Sequence, residues 1–479
     1  MNKLLEIILS LVIIGSTLAF GGVQPFTYSL MELALFFGVL LLLLKQTREG
    51  RISIPLPVWP LLFAAWIGLQ IVPLPAGLIR LLSPARLANA AIPGAPAMAW
   101  ATLSIYPHAT LVAGIKFLAY LSGFVLAAYL FDSRKRRSIL LQTLVFLGVF
   151  EAGYGIVQYL TGWQKIFTYT KVYYTGEASG TYINHNHFAG LLELTLPLIV
   201  AAAFYAFQIW SDSRRHWVAR DASAEATSPG FQLLFYMALS AVMIVAVIFS
   251  RSRGGILGAV FSIVFIGLLA QFKVRRKAWM LGLVAFLAVA VGYGMWIGLG
   301  PVLERFEQIG NPNYLQLEGR VAIWKDALSM IRDYPWTGVG LGAFEIAFRH
   351  YQTSLVTFFV DHAHNDYIEL LSETGAVGLA LLFVPVAGLL VRMMVSFVRD
   401  SRRYRPSITL GCLGGALALL LHSATDFNLQ VPSNALILAV VLGIGYKTAC
   451  IERRDEKAPE KRRAAEPMRA SASPRSMAH

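Results

Sequence analysis

Two short strings bring ionisable side chains up against apolar segments. In SRSRGG at 250–255, Arg251 and Arg253 lie two residues apart. On a helix they would point about 200° away from each other, so one guanidinium can face inward while the other snorkels. A guanidinium fork suits phosphate oxygens, and Gly254 and Gly255 leave room for a ligand or a neighbouring backbone. The competing reading is snorkelling at a helix end, which applies more to Arg251 than to Arg253. In DHAHNDYIELLSETGAVGL at 361–379, His362 and His364 are flanked by Asp361 and Asp366. Asp366, Glu369 and Glu373 then recur at three- and four-residue steps along a helix face. An imidazole accepts a proton at neutral pH and a carboxylate can fix its tautomer. General-base chemistry is therefore the sharper expectation for His364, with Asp361, Asp366 or Glu369 orienting it. Loop hydrogen bonding is the blander reading and suits His362 better. HxH alone is permissive, and no HExxH or cysteine pattern accompanies it, so neither a metal nor a cofactor is expected.

Three further strings need weighing. Asn184, His185, Asn186 and His187 open an apolar run, which places them at the outer mouth of a bundle, where Asn184 and Asn186 can meet sugar hydroxyls. HSATDFNLQVPSN at 422–434 puts His422, Asp426, Asn428 and Gln430 in a turn ahead of Pro432, as wall or as substrate contact. GVGLG at 338–342 lacks both the GxGxxG spacing and a βαβ context, which excludes a dinucleotide loop.

The elements that must carry these residues follow from composition. Of 479 residues, 56% are hydrophobic and 14% charged, against roughly 25% charged in soluble domains. This predicts an all-α, polytopic integral membrane protein. About 20 apolar residues cross a bilayer, and about twelve such stretches are present, near 4–20, 28–44, 57–73, 110–130, 139–160, 186–209, 231–250, 254–272, 278–298, 366–391, 407–425 and 433–449. The first resembles a signal peptide but lacks a clear cleavage site, so it is read as an uncleaved span. With the N-terminus inside, 29 of the 41 Lys and Arg residues fall on the cytoplasmic side, in loops such as SRKRR, KVRRK and RDSRRYR and in the tail. The net charge of +14 is then a topological signal, and no nucleic-acid partner is implied. Both termini are expected to be cytoplasmic. A large external loop, about 299–365, separates the ninth and tenth spans. In that loop Val321, Trp324, Leu328 and Ile331 share a helical face, predicting a helix lying on the membrane surface. Residues 1–449 read as one membrane domain and 450–479 as a disordered basic tail. Cys412 and Cys450 lie near the reducing face, so no disulfide is expected.

These residues resemble the bacterial O-antigen ligase family, which also embraces O-antigen polymerases and protein O-oligosaccharyltransferases. The carrier is HN-x9-GxxG, here His364-Asn365, nine residues, then Gly375 and Gly378 before a hydrophobic span. SRSRGG, the Gly319-Arg320…Trp324 string and DYPWTGVGLGAF add to the likeness, which covers roughly 180–430. The resemblance implies a glycosyltransferase of the bacterial inner membrane. It would take a glycan from undecaprenyl pyrophosphate on the periplasmic face and pass it to lipid A core, a glycan or a protein hydroxyl. It further implies that His364 is the essential histidine, that Arg253 and Arg320 face the pyrophosphate, and that no metal takes part. Arg251, His362, Asn365, Asp366, Glu369, Asn184, Asn186 and His187 are the expected substrate contacts. From another class, a twelve-span transporter or flippase of lipid-linked glycan would share this hydropathy. It would place its buried charges near the midplane, whereas here they gather at helix ends.

Overall fold

The computed structural model describes residues 1–50, 52–89, 98–213, 228–274, isolated positions between 279 and 292, 319–353 and 359–451. Its helices are α1 (Asn2–Leu18), α2 (Pro25–Arg48), α3 (Trp59–Ile71), α4 (Ala76–Leu82), α5 (Pro84–Ala88), α6 (Pro107–Leu130), α7 (Arg134–Thr161), α8 (His185–Ser213), α9 (Pro229–Phe249), α10 (Arg253–Ala270), α11 (Arg320–Asp333), α12 (Phe344–Tyr351), α13 (Asp366–Arg399), α14 (Tyr404–His422) and α15 (Pro432–Tyr446). The protein is mostly helical (76%), with two two-stranded ribbons and no closed sheet among the described residues.

Nine of the described helices are long and apolar enough to cross a bilayer. The twelve-span expectation differs from this at three places. α1 has 17 residues. α3 has 13, about 20 Å at 1.5 Å per residue, because Pro60 starts it and Pro73 follows its last turn. The expected span at 278–298 lies almost wholly outside the described residues, as do 299–318 of the large loop and the tail from 452 onward.

The helices alternate in direction, which sorts the polar groups to two ends. One end is basic: Lys273 donates to the Val398 carbonyl at 2.9 Å, Arg402 and Arg405 hold Asp400, Arg403 pairs with Asp212, and Lys447 lies 3.4 Å from Asp132. The other end gathers the starts of α8, α10, α13 and α15 with the end of α14. α8 and α15 are almost wholly enclosed by the other helices.

Over the second end sits a small cap with its own core of Ile323, Ala327, Met330, Phe344, Phe348 and Ala363. The buried face of α11 is therefore Ile323, Ala327 and Met330, and Leu328 points outward at 46% exposure. The expected stripe of Val321, Trp324, Leu328 and Ile331 lies apart from this buried face. α11 carries apolar residues on two sides, and the one that wins packs on α12. Asp326 is buried with it because its carboxylate takes the Thr353 hydroxyl at 2.6 Å and the Thr353 N–H at 3.1 Å.

The GxxG string has a definite structural job. α13 breaks at Gly375 (φ 65°, ψ −178°), and the loop 335–340 fills the break. Val339 N–H donates to Ser372 O at 2.9 Å, Gly340 N–H to Glu373 O at 2.8 Å, and Ala376 N–H to Pro335 O at 2.8 Å. From α3 the Gln70 amide donates to the Thr337 and Glu373 carbonyls. A Cβ on Gly375 would lie 2.2 Å from the Trp336 carbonyl carbon, and one on Gly338 (φ 66°) 2.2 Å from that of Glu373, so both positions require glycine. GVGLG thus mends a broken helix and ties the cap to the bundle.

Candidate functional site

The centre of the site is a carboxylate on the turn between α14 and α15. Asp426 is 1% exposed and is surrounded by polar groups from three other segments. The Asn186 amide from α8 donates to Oδ2 at 2.5 Å, and the Phe427 N–H donates to Oδ1 at 2.9 Å. His187 Nε2 and His364 Nδ1 lie 3.8 and 3.6 Å from Oδ1, just beyond hydrogen-bond range. Arg320 Nη2 lies 3.7 Å from Oδ2, while its Nη1 donates to the Thr425 carbonyl at 2.7 Å. Burial works against the charge on Asp426, but the His187 and His364 imidazoles and Arg320 outweigh it and hold the carboxyl well below its ordinary range.

His364 stands in the left-handed region (φ 51°), unusual for a side-chain-bearing residue. Its neighbours fix it there. Asn365 caps α13, its Oδ1 accepting from Tyr367 and Ile368 N–H at 3.0 and 3.1 Å, and its Nδ2 donates to the Ala424 carbonyl at 2.8 Å. Trp324 of α11 donates to the Ala363 carbonyl at 2.8 Å. Asp366 is fully buried, and its Oδ2 takes the Leu429 N–H at 3.0 Å, which joins the start of α13 to the turn 423–431.

Two of the three expected orienting partners of His364, Asp366 and Glu369, are engaged elsewhere. Glu369 presents Oε1 to His362 Nδ1 at 2.7 Å and Oε2 to the Ala363 N–H at 2.8 Å, and Asp366 serves the α14–α15 turn. The carboxylate beside His364 is Asp426. Burial lowers the pKa of His362, yet the Glu369 carboxylate more than reverses this and raises it to about 9. The Glu369 carboxylate thus favours the imidazolium form of His362 at neutral pH. His362 stacks on Phe427 (centroids 4.4 Å apart, 22°), and His187 and His364 meet the same ring edge-on at 4.6 and 4.9 Å.

The remaining expected residues sort as follows. Asn184 accepts the Asn186 N–H at 2.8 Å and so caps α8. Arg253 begins α10 behind Ser252, which caps that helix through the Gly255 N–H. Gly254 is pressed so closely on α14 that a Cβ would lie 2.3 Å from the His422 ring and 2.9 Å from the Thr425 hydroxyl. The glycines of SRSRGG therefore admit a neighbouring helix and bring the first turn of α10 to the corner where Arg320 binds Thr425. Arg251 has φ 56°, and its guanidinium lies 5.8 Å from the Tyr159 ring centre. Beneath this corner His422 Nδ1 meets Glu193 Oε2 at 3.1 Å, both side chains being buried.

A cavity of about 740 Å³ runs from His187, His362 and Phe427 down to Phe124, Leu438 and Leu442, with mostly apolar walls. One wall carries Lys116, whose ammonium lies 4.0 Å over the Tyr28 ring. Sequence reading missed Lys116, although a lone cation within an apolar run was the signal for it. Among the described residues no three His, Cys, Asp or Glu side chains are grouped to hold a metal ion.

No curated protein matches the chain. Residues 238–383 match the family model described as O-antigen ligase, a segment that contains Arg253, Arg320 and His364 but not Asn186 or Asp426. Over that segment, about a third of its length, this multi-pass helical chain is similar to the O-antigen ligase family.

Proposed function

We propose that the protein transfers a glycan from undecaprenyl pyrophosphate to an acceptor hydroxyl on the periplasmic face of the bacterial inner membrane, with inversion and without a metal. The acceptor hydroxyl attacks the anomeric carbon and its proton passes to the free imidazole nitrogen of His364, with Asp426 steadying the imidazolium that forms. The bond from the anomeric carbon to the pyrophosphate oxygen breaks as the new one forms, and the electron pair leaves on the diphosphate. Arg320 and Arg253 offset that growing charge, a task suited to fixed cations in a water-poor site. The apolar cavity beside the cluster takes the polyprenyl chain. The cap keeps water from hydrolysing the donor. With the basic end in the cytoplasm, as the distribution of Lys and Arg favours, both termini are cytoplasmic and the cluster faces outward.

The observation that carries this reading is the convergence of His364 and Arg320 on one buried carboxylate, at 3.6 and 3.7 Å, next to His187, His362 and Phe427, which line an apolar cavity. The test is reconstitution of the purified protein in lipid with a defined undecaprenyl-pyrophosphate glycan, with and without lipid A core. A single core-dependent adduct identifies a ligase, and a ladder without core a polymerase. Movement of intact donor to the other leaflet without transfer refutes the reading in favour of a flippase.

A further inference from the structure

The segment between α7 and α8 supplies a surface that the transfer mechanism does not use. Lys165–Ile166 and Tyr169–Thr170 pair as a minimal antiparallel hairpin just past the end of α7. Its aromatic rings turn outward: Trp163, Phe167, Tyr169, Tyr173 and Tyr174 are all exposed, Tyr173 by 66%. They also form an ordered array. Tyr154 stands 5.4 Å from Trp163 and 5.8 Å from Phe167, ring centre to ring centre, and its hydroxyl accepts the Phe167 N–H at 2.9 Å. Phe20 meets Tyr169 edge-on at 5.6 Å.

The backbone under this array is strained. Among the described residues only five non-glycine residues have positive φ: Phe20, Phe167, Tyr174, Arg251 and His364. Three are aromatics of this patch and two belong to the strings singled out for chemistry. Bulky side chains in this region are uncommon and cost on the order of 1 kcal/mol or more each, and such strain concentrates at binding and catalytic sites. Burying apolar surface does not explain it, because Phe167 and Tyr174 remain exposed.

The array reaches the site through Tyr174. Its ring lies 4.8 Å from that of His185, whose Nδ1 is 2.6 Å from the Ser250 carbonyl at the head of SRSRGG. The next residue, Asn186, binds Asp426. Burial raises the pKa of the Tyr174 phenol, and the charges of Asp426 and Arg320 both act on it. A ring serving only to anchor the protein at the bilayer surface would have no need of this contact, whereas Tyr174 packs one side against His185 next to the cluster and leaves the rest exposed.

We propose that the exposed aromatic edge from Trp163 to Tyr174 is a carbohydrate-docking surface, on which successive pyranose rings stack as the glycan leaves the reaction centre. The flat C–H face of a pyranose is apolar and faintly positive, which suits the negative face of an aromatic ring, and the sugar hydroxyls stay in water at the rim. The proposal rests on the glycan-transfer reading but is tested apart from it.

The probe is a set of oligosaccharides of one to six residues, released by mild acid from the surface polysaccharide of cells that make this protein. Binding to the full chain in lipid nanodiscs is measured by calorimetry and saturation-transfer NMR. Trp163→Ala and Tyr174→Ala should each raise Kd at least tenfold for the longer oligosaccharides, and Tyr174→Phe should stay within threefold. Repeating the measurement with lipid-linked donor and with free acceptor glycan identifies which substrate lies along the edge, and loss of affinity for neither overturns the proposal. So does a Tyr174→Ala protein with unchanged Kd, or one that only melts earlier in bilayers, which would mark the rings as a membrane anchor. Ring-dependent binding without any transfer would leave the docking surface intact and refute only the transfer reading.

Discussion

Replacing Asp426 by Asn tests whether one carboxylate organises the site. The substitution keeps the shape and one acceptor oxygen but turns an NH2 toward either the Asn186 amide, 2.5 Å away, or the Arg320 guanidinium, 3.7 Å away. At 3.7 Å a unit charge pair is worth about 4 kcal/mol at an effective dielectric constant near 20. Arg320 is 26% exposed, so water reduces its share to about 2 kcal/mol. Losing a carboxylate that orients a base costs up to about 10⁴ in rate in hydrolytic triads, so a fall of about 10²–10⁴ in transfer rate is expected. The assay is a double-mutant cycle on kcat/KM with Asp426→Asn, Arg320→Ala and the pair, each variant first shown to be folded by its melting temperature. A coupling near 2 kcal/mol is expected. Additivity to within about 0.5 kcal/mol would refute the shared-carboxylate argument, because the two residues would then act independently.

Asn186→Ala removes one donor to a charged acceptor, worth about 1.5 kcal/mol, so kcat/KM should fall about tenfold with little change in melting temperature. His362 gains its proton affinity from Glu369 on folding, so the stabilisation is complete below the unfolded pKa near 6.5 and is lost as pH rises through about 9. It amounts to about 3 kcal/mol at most, and melting temperature should decline between pH 6.5 and 9 in the native protein and decline less steeply over that window in Glu369→Gln, where the buried Glu373 carboxyl still contributes a pH dependence of its own. Gly375→Ala puts a methyl 2.2 Å from the Trp336 carbonyl carbon and should destabilise by about 3 kcal/mol or block folding, whereas Gly388→Ala, with open space around it, should be within about 0.5 kcal/mol of native.

Much of this architecture is legible in the sequence because hydropathy and charge act locally. Span length, the basic loops and the helix-capping role of polar residues ahead of apolar runs all follow from a few consecutive residues. The pairing of acids with histidines does not follow. His362 and His364 each have several carboxylates within a few residues, and Asp426, 62 positions after His364, competes with all of them only once α14 and α15 bring it back. The string around Asp426 is visible as a polar turn between two apolar runs, but its dominance depends on burial. The second apolar face of α11 is hidden for a similar reason. Val321, Trp324, Leu328 and Ile331 form a valid apolar stripe, and nothing local says that Ile323, Ala327 and Met330 will meet Phe344 and Phe348 instead. GVGLG at 338–342 and GxxG at 375–378 stand well apart in the chain and give no hint of pairing, because backbone-to-backbone bonds across a helix break leave no side-chain signature.

The spacing HxH gains meaning from the backbone between its histidines. In an extended chain, residues two apart point to the same side and would compete for one carboxylate. Here the left-handed turn at His364 sends the two rings to different partners, His362 to Glu369 and His364 toward Asp426, although both touch Phe427. The strain of that turn is on the order of 1–3 kcal/mol. It is offset by bonds that grip the residues on either side: Trp324 and Glu369 on Ala363, and the Asn365 cap with its bond to the Ala424 carbonyl. The consequence is a division of labour. One imidazole is held as a cation by a carboxylate of its own, and the other lies beside a carboxylate shared with Arg320. Asn365 follows His364 because a residue that caps α13 and reaches back to the α14–α15 turn holds the strained histidine against Asp426, and an aliphatic residue there would release both anchors at once.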